Sequence, residues 1–376
     1  MLKKVFFGSR NNVVFIRNIM ASTNEPSKIQ TDDNGKLYTV PLETTKQLCF
    51  NKVLPSKYIS QVNTLSECTW MVRKPLLKIL ETLSSFEKDN NKSQRIVLWG
   101  NFGTGKSITL CQLLHYAHTQ NWIIMNVRGV MDITRVPCEI QTNEINGKFD
   151  TPDHAVKALT LFKNQNQHIW NKISELKTEK EYIWTKVDKT GENRPISDIV
   201  EMGISAPFVA TDCFGALIKE LKRHSTNGDI KMLVAIDQAN SMYGKTTYKR
   251  PDGGYALPGD LSMIYHLKQF LKDDWTNGIT VMVADESEVK NARDMLTVPL
   301  VTPLELFGEE GFEDIVPFIP IETKNYDEKE IDVIYEYYKS KNWLTTPDAK
   351  TENGKKQMFY ISAFNPYNFE RLCAFV

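Results

Sequence analysis

The chain has 376 residues, 41% of them hydrophobic and 24% charged, proportions that suit a folded protein able to bury an α/β core and an addition to it. Its 46 basic residues are balanced by 46 acidic ones, so no global field draws it onto nucleic acid and any contact with RNA has to be local. Six scattered cysteines without a C-x-x-C pair signal neither a zinc site nor a disulfide framework, and no run approaches the roughly 20 apolar residues of a membrane span.

Residues 1–24 differ in character from the rest of the chain. Lys3, Lys4, Arg10 and Arg17 are interleaved with Val5, Phe6, Phe7, Val13, Val14, Phe15 and Ile16, and no acidic residue precedes Glu25. Basic, amphipathic and acid-free is the composition of a mitochondrial transit peptide, whose loss would leave 42 basic residues against 46 acidic. Residues 25–68 carry short apolar clusters without a sustained period and read as an extended segment lying on another surface. From Met71 the spacing of Val72, Leu76, Leu77, Leu80, Leu83 and Phe86 predicts an amphipathic helix with Pro75 in its first turn, and Gln94 to Trp99 predicts a strand.

The loop after that strand carries the main chemical signal. Gly100-Asn101-Phe102-Gly103-Thr104-Gly105-Lys106-Ser107 reads G-x-x-x-x-G-K-[ST], the phosphate-binding loop, between an apolar strand and a helical pattern from Lys106 to Gln120. Its glycines let several backbone N–H groups converge on one concavity, and the helix that starts there adds its positive end. Lys106 is expected to reach the outer phosphates, and the Ser107 hydroxyl to ligate the magnesium ion carried with a nucleotide. Trp122 to Val127 predicts a second strand, and the β-loop-α-β order implies a parallel sheet.

Asp153 to Lys186 reads as mostly helical and Lys189 to Pro195 as a loop, and Asp212 is expected to cap a helix that ends in Lys222, Arg223 and His224. Lys231 to Ile236 is a buried strand, followed directly by Asp237, where P-loop proteins hold magnesium through water. The next residue is Gln238; many P-loop ATPases place a glutamate there, and an amide cannot take a proton from the attacking water. Gly278 to Ala284 predicts a further strand whose polar end, Asp285-Glu286-Ser287, falls near the ligand edge of a doubly wound sheet. Thr185-Lys186-Val187-Asp188 matches a permissive guanine pattern but precedes the Asp237 strand, which makes it a coincidence. Lys245, Lys249 and Arg250 read as a solvated loop, with phosphate contact as the sharper alternative, and His115 with His118 as a packed pair on one helix face. From residue 307 the chain predicts a small helical lid, with helices through Ile331 to Tyr338 and from Asn368 to Phe375, the latter entered through Asn365-Pro366.

The fold class expected is therefore an α/β P-loop NTPase-like parallel sheet with helices on both faces. Residues 69–306 form the nucleotide-binding domain and 307–376 the helical lid, and the site is assigned to Gly100, Asn101, Phe102, Gly103, Thr104, Gly105, Lys106, Ser107 and Asp237. The run W-G-N-F-G-T-G-K-S-I-T-L-C, together with L-V-A-I-D at 233–237, E-K-E-Y-I-W-T-K at 179–186, L-I-K-E-L-K-R at 217–223, F-I-P-I at 318–321 and E-R-L-C-A at the end, resembles the death-associated protein 3 family. The resemblance spans residue 70 to the C-terminus. It implies an AAA-type-like P-loop domain in the small-subunit head of the mitochondrial ribosome, binding GTP or GDP and Mg²⁺, with ATP an open alternative. It further implies rRNA and ribosomal-protein neighbours in the mitochondrial matrix and an association with apoptosis. Carried over by residue, the phosphate role falls on Gly100 to Ser107 and the metal side on Ser107 and Asp237. Three readings compete: a structural ribosomal component with little or no hydrolysis, an active AAA-type NTPase, and a nucleotide-dependent adaptor in cell death.

Overall fold

The strands that read as unbroken apolar runs are those buried on both faces. The computed structural model describes residues 19–86, 92–143, 146–250, 252–288 and 302–374, so residues 1–18 of the expected transit peptide lie outside the described residues. A short antiparallel pair, β1 (Leu37–Val40) and β2 (Cys68–Met71), precedes the main sheet of β3 (Gln94–Trp99), β4 (Ile123–Val127), β5 (Met232–Ile236), β6 (Gly278–Val283) and β7 (Ile319–Glu322). The five run parallel in the order β7-β3-β6-β5-β4, the α/β P-loop arrangement the sequence predicts.

Helices cover both faces, and the strand period of two divides the core between them. On one face Val97, Met125, Val234 and Met282 pack with α4 (Pro152–Gln165), α5 (Ile196–Ser205), α6 (Ala210–Thr226), α7 (Ser262–Lys268) and α8 (Pro303–Ile315). The neighbouring strand residues, Ile96, Leu98, Ile124, Leu233 and Val281, turn the other way onto α2 (Lys74–Phe86) and α3 (Lys106–Thr119). A third core joins Ile331 and Tyr335 of α9 (Glu328–Ser340), Met358 of α10 (Glu352–Ser362) and Phe369 of α11 (Pro366–Cys373) to Leu37 and Met71, fastening the C-terminal helices to the β1–β2 pair.

Four expectations are corrected. Residues 25–68 are not simply extended: besides β1 they form helices at Leu42–Gln47, Phe50–Val53 and α1 (Ser56–Leu65). Tyr38, Leu48 and Phe50, all fully buried, join the α2–α3 core, so the segment is ordered by this chain's own sheet. The helical reading of 153–186 holds for α4 and Trp170–Glu175 but fails beyond, where Tyr182–Ile183 and Lys189–Thr190 form a hairpin; β-branched and aromatic residues there override the polar surroundings. Asp212 does not cap α6 but is its third residue, the N-cap being Val209. The sheet also gains β7 from the stretch assigned to the helical lid; Pro320 obscures its pattern and is tolerated because β7 is an edge strand.

Candidate functional site

The turn from β3 into α3 can be built only with glycine at its tight points. Gly100 has φ 132° and Gly103 φ 78°, and a Cβ would stand 2.3 Å from the Thr323 carbonyl oxygen at the first and 2.6 Å from Asn365 Oδ1 at the second. The outward carbonyls of the loop are taken up by other parts of the chain: Phe102 O accepts from Asn365 Nδ2 at 2.8 Å, Gly103 O from the Tyr367 amide at 3.1 Å and Thr104 O from Arg73 Nη1 at 2.9 Å. Thr104 Oγ1 bonds Asn101 O at 2.8 Å and Thr323 Oγ1 at 2.7 Å. Phe102 and Asn101 are exposed, and the Phe102 ring meets Tyr367 edge-on at 5.0 Å, so the Phe102 side chain serves the outer surface of the loop.

Lys106 opens α3, and its buried ammonium reaches back to Gly100 O at 2.6 Å and Asn101 O at 2.9 Å. Burial lowers its pKa against the opposing pull of Asp285, Glu286 and Asp237. Ser107 follows in the same turn, half-buried, among helix-start amides that lack partners within the helix. The three carboxylates come together because β6 lies between β3 and β5, which sets Asp285 and Asp237 at the carboxyl ends of adjacent strands. Burial, and then the neighbouring Asp285, push the Asp237 carboxyl up to about 6. This donor set of backbone amides, ammonium, hydroxyl and carboxylates fits a polyphosphate carrying a hard divalent cation.

Gln238, with φ 55°, is turned so that its Nε2 donates to Asp285 Oδ2 at 3.2 Å, while its backbone N–H donates to Asp237 Oδ1 at 3.0 Å. Asn240 fixes Asp285 from both sides, donating to its carbonyl at 2.8 Å and accepting from its amide at 2.9 Å. A group that could take a proton from water at the Gln238 position is thus replaced by an amide already engaged. Sequence reading set Asp285 at the ligand edge without assigning it to the site; its signal is its position at the end of a buried parallel strand.

Other candidates resolve into local roles. Thr185 Oγ1 donates to Asp188 Oδ2 at 2.9 Å within the tip of the hairpin, and Tyr182 at its base donates to Glu220 Oε1 at 2.7 Å. Arg250 pairs with Asp260 and bonds it at 3.2 Å through Nε, which at that residue favours the solvated-loop reading over phosphate contact. His118 gains a partner the sequence did not reveal: His168, from beyond α4, packs against it with ring centroids 4.0 Å apart and planes tilted by 38°. Among the described residues no group of three His, Cys, Asp or Glu is placed to hold a metal.

The histidines do predict a pH dependence. Burial holds His115 and His118 down at about 4, with a neighbouring histidine the second cause in each case, and lowers His168 as well. Unfolded histidine titrates near ~6.5, so between about pH 6.5 and 4 the unfolded chain takes up protons that the folded chain refuses. Stability is therefore expected to fall as pH falls through that window, and His118→Gln to flatten the decline. Denaturation midpoints of both proteins at steps from pH 7 to 4.5 check this; parallel curves would mean that His118 contributes nothing to the decline.

The family model described as mitochondrial ribosomal death-associated protein 3 matches residues 70–372. The chain is 35% identical over 356 residues to the small ribosomal subunit protein mS29 of Bos taurus, covering 94% of this chain and 87% of that protein. It is 34% identical to the protein of the same name from Mus musculus, covering 94% and 88%. Among solved structures it is similar to Cdc6p from Pyrobaculum aerophilum, with TM-score 0.34 and 12% identity over 77% of this chain and 60% of that one, a likeness too slight to add to the fold described above.

Proposed function

This chain belongs to the mitochondrial ribosomal death-associated protein 3 family, and from that premise we propose that it is a structural component of the mitochondrial ribosomal small subunit that holds a guanine nucleotide with Mg²⁺. The observation that carries the nucleotide half is the loop itself, with Lys106 buried in it, outward carbonyls tied and the carboxylates of Asp237 and Asp285 at adjacent strand ends. Gly100 to Ser107 would cradle the phosphates of GTP or GDP, and Ser107 with Asp237, the latter through water, would hold the Mg²⁺. The ribosomal half is carried over from the names of the bovine and mouse relatives; small-subunit rRNA and ribosomal proteins of the mitochondrial matrix would be its neighbours. The acid-free arm of residues 1–24 is consistent with import and removal.

Within the site, the chain's own residues bind and orient rather than activate. Lys106 neutralises phosphate charge, the loop amides fix the phosphate oxygens, and Gln238 is engaged by Asp285 where a general base would act. The purified protein is accordingly expected to release guanine nucleotide on denaturation and to turn added GTP over far below ~1 s⁻¹, the lower end of ordinary enzymes. Phosphate release at or above that rate would move the protein to the active-NTPase reading, and an extract free of nucleotide would remove the bound ligand.

A further inference from the structure

The Asn365-Pro366-Tyr367 turn has a use beyond starting a helix. Asn365 is the N-cap of α11, its Oδ1 accepting from the Asn368 amide at 3.1 Å. Its other side-chain atom, Nδ2, leaves the helix and donates to the Phe102 carbonyl in the phosphate loop. Two residues on, the Tyr367 amide, which no helix carbonyl can reach in the first turn, donates to Gly103 O. The next carbonyl, Thr104 O, is held by Arg73, whose guanidinium also bonds the Lys324 and Asn325 carbonyls and both oxygens of Glu330 on α9. Three successive carbonyls of the loop are thus anchored to the C-terminal helices.

A planar trans peptide sets its C=O and the N–H that follows on opposite sides. Fixing the oxygens of Phe102, Gly103 and Thr104 outward therefore aims the amides of Gly103, Thr104 and Gly105 into the concavity that would face the phosphates. We propose that Asn365, the Tyr367 amide and Arg73 are positioning groups for the phosphate loop, so that polyphosphate occupancy and docking of α11 are linked. The linkage rests on the nucleotide reading above and is reciprocal: whatever tightens the helix on the loop tightens the ligand, and the ligand protects the helix by the same factor. Gly103 leaves the space the contact needs, since a side chain there would collide with Asn365 and with Tyr367 Cβ at 2.7 Å.

Asn365→Asp separates this role from capping, because aspartate caps a helix as well as asparagine but presents an oxygen where Nδ2 donated. The full chain is titrated by calorimetry with Mg²⁺·GDP and with Mg²⁺·pyrophosphate. Asn365→Asp is expected to weaken both about tenfold, the upper range for one net hydrogen bond, while Tyr360→Phe, at an exposed position on α10 away from the loop, leaves both unchanged. In the wild-type protein, hydrogen exchange at residues 366–373 is expected to slow when Mg²⁺·GDP is added and not to slow in Lys106→Ala. Wild-type affinity in Asn365→Asp, or exchange at 366–373 that ignores the ligand, overturns the linkage. Should Asn365→Asp fail to fold, the wild-type exchange decides. A wild-type protein that binds neither probe overturns the nucleotide reading itself.

Discussion

Lys106→Ala is expected to empty the proposed nucleotide site and to lower the melting temperature of the purified protein by about 3 to 4 °C. A ligand held only by the folded state adds about 2.7 kcal/mol at a hundred times its dissociation constant, and in a chain of this size each kcal/mol is worth about 1.3 °C. Two effects combine in the variant. The cation that would face the phosphates is gone, and the Gly100 carbonyl loses the ammonium that reaches it at 2.6 Å, leaving the loop less defined even without ligand. Scanning calorimetry with and without added Mg²⁺·GDP separates the two: the wild-type melt is expected to rise with nucleotide and the variant melt to stay flat. A variant that still gains stability from nucleotide would place the phosphates elsewhere.

Arg73→Ala carries the largest expected cost in stability, about 3 to 5 kcal/mol. Arg73 and Glu330 form an ion pair whose side chains are 14% and 7% exposed, and removing one partner strands a buried charge. The same change frees Thr104 O and the Lys324 and Asn325 carbonyls, so the damage spreads from α2 to α9 and to the phosphate loop. Replacing the pair with apolar residues, Arg73→Met with Glu330→Leu, is expected to recover only the part of the loss that comes from the stranded charge, because Met still leaves the three carbonyls without a donor and Leu removes the acceptor of the Asp327 amide. Urea midpoints of the single and double variants test this. A single variant within about 1 kcal/mol of wild type would mean the pair does not hold the C-terminal helices to the loop.

The sheet was legible where burial on both faces leaves an unbroken apolar run, as at Ile96 to Trp99 and Met232 to Ile236, and the turn from β3 into α3 was legible because its glycines are dictated by the backbone it needs. Legibility failed where a local signal points one way and a distant contact another. Pro320 argues against a strand until β7 is seen to be an edge; the stretch through Lys186 reads as helical until Trp184 and Tyr182 are seen stacked at 5.6 Å on a hairpin. Residues 25–68 have no period of their own because their apolar groups, Tyr38 and Phe50 among them, fill gaps on a surface made by α2 and α3. Asp285 was visible as a strand end, but its nearness to Lys106 follows from strand order, which no local pattern encodes. Asn365 was legible as the entry to the last helix; its hold on Phe102 spans 263 residues and was not.

The central claim, a nucleotide-holding component of the small subunit, is tested most directly by sedimenting mitochondrial lysate on a gradient and locating the endogenous protein. The protein is expected to run with the small subunit, and Lys106→Ala, expressed in its place, to shift toward the top of the gradient. Endogenous protein found mainly in a free pool, with wild type and variant alike, would contradict the claim and favour the adaptor reading instead.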